Sequence, residues 1–307
     1  MTRAATTLVI TGAMLLAIAG CRGGDQASHR RFDSARAAAT ALIDAVKSGD
    51  VDNVKGIFGP DAKELVDSSD PETARRNRKV FSVAAAERWR IEEDGPDRAT
   101  LVIGWEDWPF PIPLVKEGGN WYFDTAAGKE EILARRIGRN ELSAIKAART
   151  YVTAQRLYAK YGHDGKAPGL YARKITSTGA AQDGLYWPAR PGQRRSPLGD
   201  LYADAAVEAE RRAGNTEPQP FHGYYFRVLT AQGAAAPGGA KDYIVKSELA
   251  DGFALIAWPA HYDVTGVMTF VVNQDGTVWE KDLGTATDAE ARAMSLYNPD
   301  SSWAAVR

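Results

Sequence analysis

The chain has 307 residues, with 38 basic and 39 acidic side chains and a formal net charge of −1. This balanced charge, without a long basic stripe, gives no indication of a nucleic-acid partner, and we expect none. The composition is that of a folded globular protein and not of a disordered tail. At about 150 residues per domain, the length predicts two domains.

The first 21 residues have the layout of a lipoprotein signal peptide. Arg3 precedes an apolar stretch, Leu8–Ile18, which is too short to span a bilayer as a permanent helix. The stretch closes with Ile18-Ala19-Gly20-Cys21, which resembles a lipobox, where a lipoprotein is cleaved after its cysteine thiol is diacylated. We therefore expect residues 1–20 to be a cleaved signal peptide and Cys21 to carry the lipid.

Cys21 is the only cysteine, so no disulfide can form within the chain. Residues 21–31 predict a flexible, lipid-anchored tether, because they are largely polar and contain glycine. These features predict a cell-envelope protein that is attached to a membrane through Cys21 and faces the periplasm. Arg22 replaces the aspartate that retains many lipoproteins in the inner membrane, which favours the outer membrane if the cell has one. The alternative is an ordinary secretory signal peptide.

Residues 32–124 predict an α+β domain. A helical pattern runs over Phe32–Lys47, with Asp33 or Ser34 as its cap, and a second helix is expected from Val51. The hairpin signal Glu117-Gly118-Gly119 joins the last two of four expected strands. These strands are Trp89–Glu92, Ala99–Trp105, Pro113–Lys116 and Asn120–Asp124. The layout resembles the cone-shaped nuclear-transport-factor-like and SnoaL-like folds, in which helices cover a curved sheet and can enclose a pocket.

Residues 125–307 predict a long helix packed on an antiparallel meander sheet. The helical stretch Thr125–Tyr161 contains Gly138, so it is either one helix or two, with Asn140 capping the second. Its basic side chains fall mostly opposite or beside its apolar face. The apolar face consists of Leu133, Ile137, Ala144, Ala148, Tyr151, Val152 and Tyr158.

A loop-rich zone follows the long helix, and Leu201–Ala213 within it is expected to be helical. Four strands are then expected, and Gln274-Asp275-Gly276 predicts a tight hairpin between the last two. These strands are Gly223–Thr230, Gly252–Trp258, Val267–Asn273 and Thr277–Asp282.

Five motifs resemble the bacterial domain-of-unknown-function family numbered 2950, a family of secreted proteins. The resemblance covers Phe32 to Val306 and implies an envelope location, but it implies no activity for any residue. The motifs are Asp124–Glu131, Arg135–Glu141, Asp183–Pro188, His222–Arg227 and Gly266–Phe270.

The C-terminal half is also similar to the globular heads of type IV pilins and pseudopilins. The similarity lies in the helix ending at Leu157–Tyr161, the meander with Tyr224-Tyr225-Phe226 and the late Asp-Gly hairpin. Pilin helices begin as a uniformly apolar segment, whereas this helix begins with charged residues. The fold is therefore expected to be shared without filament assembly.

Glu141 and His222 are the polar candidates for a binding or catalytic role. Glu141 lies on the apolar face of the long helix and is either a buried acid or base, or a partner of an arginine such as Arg227. His222 precedes a strand and has either a ligand role or a hydrogen-bonding role there. The four histidines share no metal-like spacing, and Asp164 and Asp275 are explained by Asp-Gly turns, so no metal site is expected.

Aromatic residues cluster in both halves and form either core or a peptide or glycan groove. Trp105, Trp108, Phe110, Trp121 and Tyr122 cluster in the first domain. The second domain contains Tyr186, Trp187, Tyr224, Tyr225, Phe226 and Trp258.

No pattern indicates a catalytic site or a cofactor. We therefore expect a membrane-tethered, non-enzymatic binding or scaffold protein whose C-terminal domain contacts another envelope protein. The alternative is a small-molecule binder or hydrolase-type enzyme that uses a pocket in the N-terminal domain. The candidate interaction residues are Glu141, Trp187, His222, Tyr224 and Tyr225.

Overall fold

The structure is a computed structural model of the chain. It describes residues 29–60, 62, 65, 71–163, 165–179, 181–188, 190–192, 194–199 and 220–307. The expected signal peptide, Cys21, Asp164 and the expected helix Leu201–Ala213 lie outside the described residues, as does most of the tether. The chain divides into two compact units, Met1–Lys129 (unit 1) and Glu130–Arg307 (unit 2). Among the described helices, none has the length and apolar character that crossing a membrane requires.

The described part of unit 1 contains helices and an antiparallel sheet. The helices are α1 (Ala35–Ser48), α2 (Val51–Phe58) and α3 (Pro71–Glu87). The strands are β1 (Trp89–Glu93), β2 (Arg98–Ile103), β3 (Trp108–Pro109), β4 (Leu114–Glu117) and β5 (Asn120–Phe123). The sheet has the order β1-β2-β4-β5, and β3 pairs with Val102 and Ile103 at the C-terminal end of β2.

Local signals explain where α1 begins and ends. The Ser34 side chain accepts a hydrogen bond from the Ala37 amide at 3.1 Å, so Ser34 and not Asp33 is the cap. Gly49 ends the helix with a φ of 73°, a left-handed conformation that glycine adopts without strain. The helix buries Ala38, Leu42 and Ala45, as its apolar pattern predicts.

Apolar side chains fill the space between the helices and the sheet of unit 1. The Phe123 ring lies edge-on to Phe58 at 5.5 Å and to Phe110 at 6.0 Å between ring centroids. The aliphatic part of this core includes Leu42, Ile43, Ile57, Leu101, Ile103, Ile112 and Leu114. The described interior therefore presents packed hydrocarbon and aromatic rings rather than acidic or basic groups.

Unit 2 contains most of the long helix α4 (Thr125–Tyr161) and a five-stranded antiparallel sheet. The strands of this sheet are β8 (Tyr224–Leu229), β13 (Ala254–Pro259), β14 (Met268–Asn273), β15 (Val278–Asp282) and β16 (Ala304–Ala305). Their order in the sheet is β16-β15-β14-β13-β8. Smaller elements are β6 (Lys174–Thr176), β7 (Gly184–Tyr186), β9 (Ala231–Gln232), β10 (Lys241–Asp242), β11 (Ile244–Val245), β12 (Glu248–Leu249) and α5 (Thr287–Ala293).

The helix α4 is continuous through Gly138, so the two-helix alternative is wrong. Asn140 does not cap a second helix, because its side-chain amide donates to the Thr265 carbonyl at 2.9 Å. The buried face of α4 includes Ala148 and Tyr151, and the Tyr151 hydroxyl donates to the Ala254 carbonyl of β13 at 3.1 Å. The predicted α+β class is confirmed, and unit 2 is a long helix packed on an antiparallel meander.

Replacing Phe123 with alanine tests the packing of unit 1. The substitution removes the contacts with Phe58 and Phe110 and leaves a cavity, so we expect the free energy of unfolding to fall by about 3–5 kcal/mol. The control Val83→Ala truncates a side chain that is 54% exposed, and we expect a change below about 0.5 kcal/mol. Hydrogen exchange of the β2 and β5 amides measures both effects, and unchanged protection in Phe123→Ala would contradict the prediction.

Candidate functional site

Glu141 holds the chain that leads into β14. Its Oε1 accepts hydrogen bonds from the amides of Val267 at 2.9 Å and Met268 at 3.0 Å. Arg227, the suggested partner of Glu141, instead donates to the carbonyls of Ala291 at 2.7 Å and Met294 at 2.6 Å, at the end of α5. The Glu141 carboxylate is therefore used to fix backbone, and the long helix and β14 are joined through it.

Tyr224 completes this junction. Its side chain is buried, and its hydroxyl donates to the Met268 carbonyl at 2.9 Å. Burial, together with the negative charge of Glu141, raises the pKa of Tyr224, so the phenol stays neutral and acts as a donor. A Cβ on Gly266 would lie 2.1 Å from the Tyr224 hydroxyl, so only glycine fits there. We call Asn140, Glu141, Gly223, Tyr224 and the segment 265–268 the Glu141 junction.

His222 lies beside the junction but outside its hydrogen bonds. Its ring is exposed and lies 4.2 Å from the Phe221 ring, and its φ is 46°. Gly223 follows with a φ of 76°, and a Cβ there would lie 2.7 Å from the Asn140 side-chain nitrogen. The His222-Gly223 pair thus makes the turn that brings β8 against α4.

Tyr225 belongs to a separate network. It packs on Trp258 with 5.6 Å between ring centroids, and the Arg292 guanidinium lies 5.5 Å from the Tyr225 ring centroid. Asp288 accepts hydrogen bonds from Trp258 Nε1 at 3.1 Å and from Arg292 at 2.9 Å. The Arg292 hydrogen bond, with a smaller contribution from Trp258, lowers the pKa of Asp288. These bonds attach α5 to β13.

Trp187 supports the wall of a groove at the end of α4. The Trp187 ring is buried, and its Nε1 donates to the Arg194 carbonyl at 2.9 Å. His163 stacks on Tyr158 with 4.1 Å between ring centroids and lies 5.2 Å from the Trp187 ring centroid. Trp187 therefore sets the backbone position of Arg194, and the His163 ring fills the space between Tyr158 and Trp187.

The groove has a volume of about 420 Å³, and we call it the Arg194 groove. The Arg194 guanidinium lies 3.7 Å from the Tyr161 ring centroid, which is a cation–π contact. Both Arg194 and Arg195 have exposed side chains. The groove is lined by Leu157, Tyr161, His163, Arg194, Arg195 and Pro197. Two guanidinium groups beside an aromatic ring suit a ligand that carries both an anionic group and an apolar group.

Asp183 braces the strand that leads to Trp187. Its carboxylate accepts from Lys174 Nζ at 2.6 Å and from the Thr178 amide at 2.7 Å. The Lys174 contact, followed by the Thr178 amide, lowers the pKa of Asp183 to about 2. The carboxylate therefore stays ionised at neutral pH and closes the loop between β6 and β7. The family-like motif from Asp183 to Pro188 is thus a support for the Arg194 groove.

The chain matches the family model described as "Protein of unknown function (DUF2950)" over residues 29–306. The chain belongs to this DUF2950 family. No curated protein and no solved structure matches it. The family resemblance is thereby confirmed, whereas the similarity of the C-terminal half to pilin heads stays a prediction.

The aromatic residues of the DUF2950 chain divide between core and surface. Trp121, Trp187, Tyr224 and Trp258 are buried. Trp105 is 68% exposed in the turn between β2 and β3, and Trp108, the first residue of β3, is also exposed. The predicted clusters therefore do not form one continuous aromatic groove in either unit.

Metal-ligating residues are dispersed in the part of the chain that the structure describes. No group of three or more His, Cys, Asp or Glu side chains lies together there in a way that could hold an ion. Asp275 accepts from the Asn273 side chain at 3.3 Å, and its amide donates back to Asn273 at 3.1 Å. These bonds make the turn between β14 and β15.

Sequence reasoning missed Tyr161, Arg194 and Arg195 as site residues. The sequence pattern marks Tyr161 only as the last residue of the helix, and the two arginines lie in the loop-rich zone without a periodic pattern. The adjacent pair Arg194-Arg195, shortly after a tryptophan and before Ser196-Pro197, is the signal that could have drawn attention to them.

Replacing Glu141 with alanine tests the junction. Two partly buried backbone amides lose their acceptor, so we expect the free energy of unfolding to fall by about 1–3 kcal/mol, and by less in Glu141→Gln, which keeps an acceptor. The control Glu130→Ala removes an exposed carboxylate from the same helix, and we expect little change. Urea unfolding followed by circular dichroism measures the difference. Equal stability of Glu141→Ala and Glu130→Ala would contradict a structural role.

Proposed function

We propose that this DUF2950 protein is a lipid-anchored envelope protein that binds a partner molecule through the Arg194 groove and catalyses no reaction. The groove itself is the observation that carries the proposal. It combines an apolar and aromatic lining with two exposed arginines, and buried side chains hold its wall. Sites of this kind orient a ligand through a few charged groups and retain it through apolar contact.

The roles of the polar side chains favour binding over catalysis. The Glu141 carboxylate and the Tyr224 hydroxyl bind backbone groups, and Asp183 binds Lys174 and the Thr178 amide. The charged groups at the groove are arginines, which stay protonated at physiological pH and therefore do not exchange protons as general acids or bases. The interior of unit 1 is packed with apolar side chains, which gives no support to a pocket-based activity there.

The membrane tether is supported by the first 21 residues. A short basic segment, an apolar stretch and Ile18-Ala19-Gly20-Cys21 follow one another in the order of a lipoprotein signal. A family match that begins at residue 29 leaves a short segment after Cys21 as the tether. On this proposal, the folded units are held close to the membrane and face the periplasm, with the outer membrane favoured.

Replacing Cys21 with serine tests the tether. A serine hydroxyl cannot form the thioether to the diacylglyceryl group, so we expect Cys21→Ser to be released as soluble protein or to remain uncleaved. Cell fractionation combined with radioactive palmitate labelling measures both properties, and Ser28→Ala provides the control that should stay labelled. If Cys21→Ser loses its signal peptide and still fractionates with membranes as the native protein does, the tether is not this lipid.

Photocrosslinking in intact cells tests the groove. A benzoylphenylalanine residue at Tyr161 keeps an aromatic ring at the groove, and we expect it to give one defined adduct. The same group at Val245, which is 45% exposed on β11, serves as the matched control and should not give that adduct. Arg194→Ala, combined with benzoylphenylalanine at position 161, should reduce the adduct about tenfold or more, because a hydrogen bond to a charged group is lost. Identical adducts at both positions, or none at Tyr161, would count against binding at the groove.

A further inference from the structure

We infer that the solvent-facing side of α4 is a second binding surface, and that its ligand is an anionic phospholipid surface. We call this side the basic face, and it is distinct from the Arg194 groove. Its cations are Arg139, Lys146, Arg149, Arg156 and Lys160. The cellular setting of this surface rests on the membrane tether proposed for Cys21, but the lipid contact itself can be tested without the tether.

The period of the helix places these cations away from the core. Ala144, Ala148 and Tyr151 lie on the side of α4 that faces the sheet of unit 2, and all three are buried there. The five cations lie on the remaining sides, and each of them is exposed. From Arg139 to Lys160 they extend over about 31 Å of helix, at a rise of about 1.5 Å per residue.

The charge of the basic face is not neutralised by neighbouring side chains. None of the five cations forms an ion pair with a residue that the structure describes. Arg156 donates to the Gln274 carbonyl at 2.7 Å, which is a neutral acceptor. Glu141, the acidic residue of this part of α4, is occupied by the Val267 and Met268 amides. A chain with a net charge of −1 thus concentrates positive charge on one helix side.

A shallow depression of about 300 Å³ adds apolar surface to the basic face. It is lined by Leu142, Ile145, Lys146, Arg149, Thr150 and Thr153. Leu142 is 68% exposed, so a leucine side chain faces solvent between cations. Long basic side chains can place their ammonium or guanidinium groups at phosphates while their methylene stems contact apolar groups. A phospholipid surface offers this combination of phosphates above glycerol and acyl carbons.

The shape of the face favours a membrane over other anionic ligands. The cations lie along the exposed side of one helix, which fits a planar array of charges without needing a second wall. A symmetric dimer through this face is unfavourable, because two basic faces would repel each other. If lipid on Cys21 tethers the chain, the protein stays close to a leaflet, so even weak attraction to the surface is effective.

Vesicle sedimentation tests the inference directly. The chain from Arg22 onward contains all of the described residues and carries no lipid. We expect it to bind phosphatidylcholine vesicles that contain one third phosphatidylglycerol, and not to bind vesicles of phosphatidylcholine alone. Each Lys or Arg near such a surface strengthens binding about fivefold. Raising the salt from about 0.1 M to about 0.5 M should therefore release the protein, because it screens these charges.

Matched charge variants locate the contact. We expect Lys146→Gln with Arg149→Gln to weaken binding about 25-fold, at about fivefold for each cation lost. The control Lys241→Gln with Lys246→Gln changes the net charge equally at exposed positions of unit 2 outside α4, and its binding should be unchanged. Circular dichroism checks that both double variants are folded.

Two outcomes would overturn the inference, namely no binding to the acidic vesicles and equal binding by the two double variants. If the vesicles are not bound but soluble poly-L-glutamate is, the result would indicate an acidic protein partner instead. None of these outcomes bears on palmitate labelling of Cys21 or on crosslinking at Tyr161, so failure of the lipid contact and failure of the proposed function are read separately.

Discussion

The burial of one side of α4 on the antiparallel sheet is the constraint on which unit 2 depends. Apolar contact supplies most of the stabilisation, and polar anchors fix the position of the helix against the sheet and against the segment that precedes β6. Near the start of this contact, Glu141 binds the Val267 and Met268 amides. Further along, Gln155 is fully buried and exchanges two hydrogen bonds with the Ala172 backbone, at 2.7 Å and 2.8 Å. A buried amide without such partners would be costly, so these pairs define one position of the helix.

Both candidate binding surfaces follow from this constraint. Because the helix presents one side to the sheet, its cations are left on the outer sides, where they make the basic face. Because the helix ends at Tyr161, its last turn projects Leu157 and Tyr161 next to the segment that carries Arg194. Trp187 and Asp183 hold that segment in place. Polar groups of the family-like motifs therefore build the framework, and apart from Arg139 the charges that a ligand would meet come from residues outside those motifs.

The regular elements with strong periodicity were predictable from the sequence. The four strands from β8 to β15 in the main sheet, the Asp-Gly hairpin and the cap at Ser34 agree with their predicted positions to within about two residues, the usual uncertainty of element ends. The helix α3 was not predicted, because its sequence is rich in arginine and leaves Val80 exposed, so no apolar stripe marks it. The parallel pair β6–β7 was also missed, since strands of three residues carry no readable alternation.

The sequence by itself determined the α+β class and the long helix with its apolar side, because local propensity and periodicity act between near neighbours. It also determined the family and the lipobox-like segment that ends at Cys21, because both are recognised from short motifs along the chain. Only the tertiary structure decided that Glu141 and Tyr224 are structural, that Gly138 does not interrupt α4, and that Tyr161 meets Arg194. Those outcomes depend on which backbone groups a distant loop brings within hydrogen-bonding distance, and on the free energy of satisfying buried polar atoms, and neither is encoded in spacing along the chain.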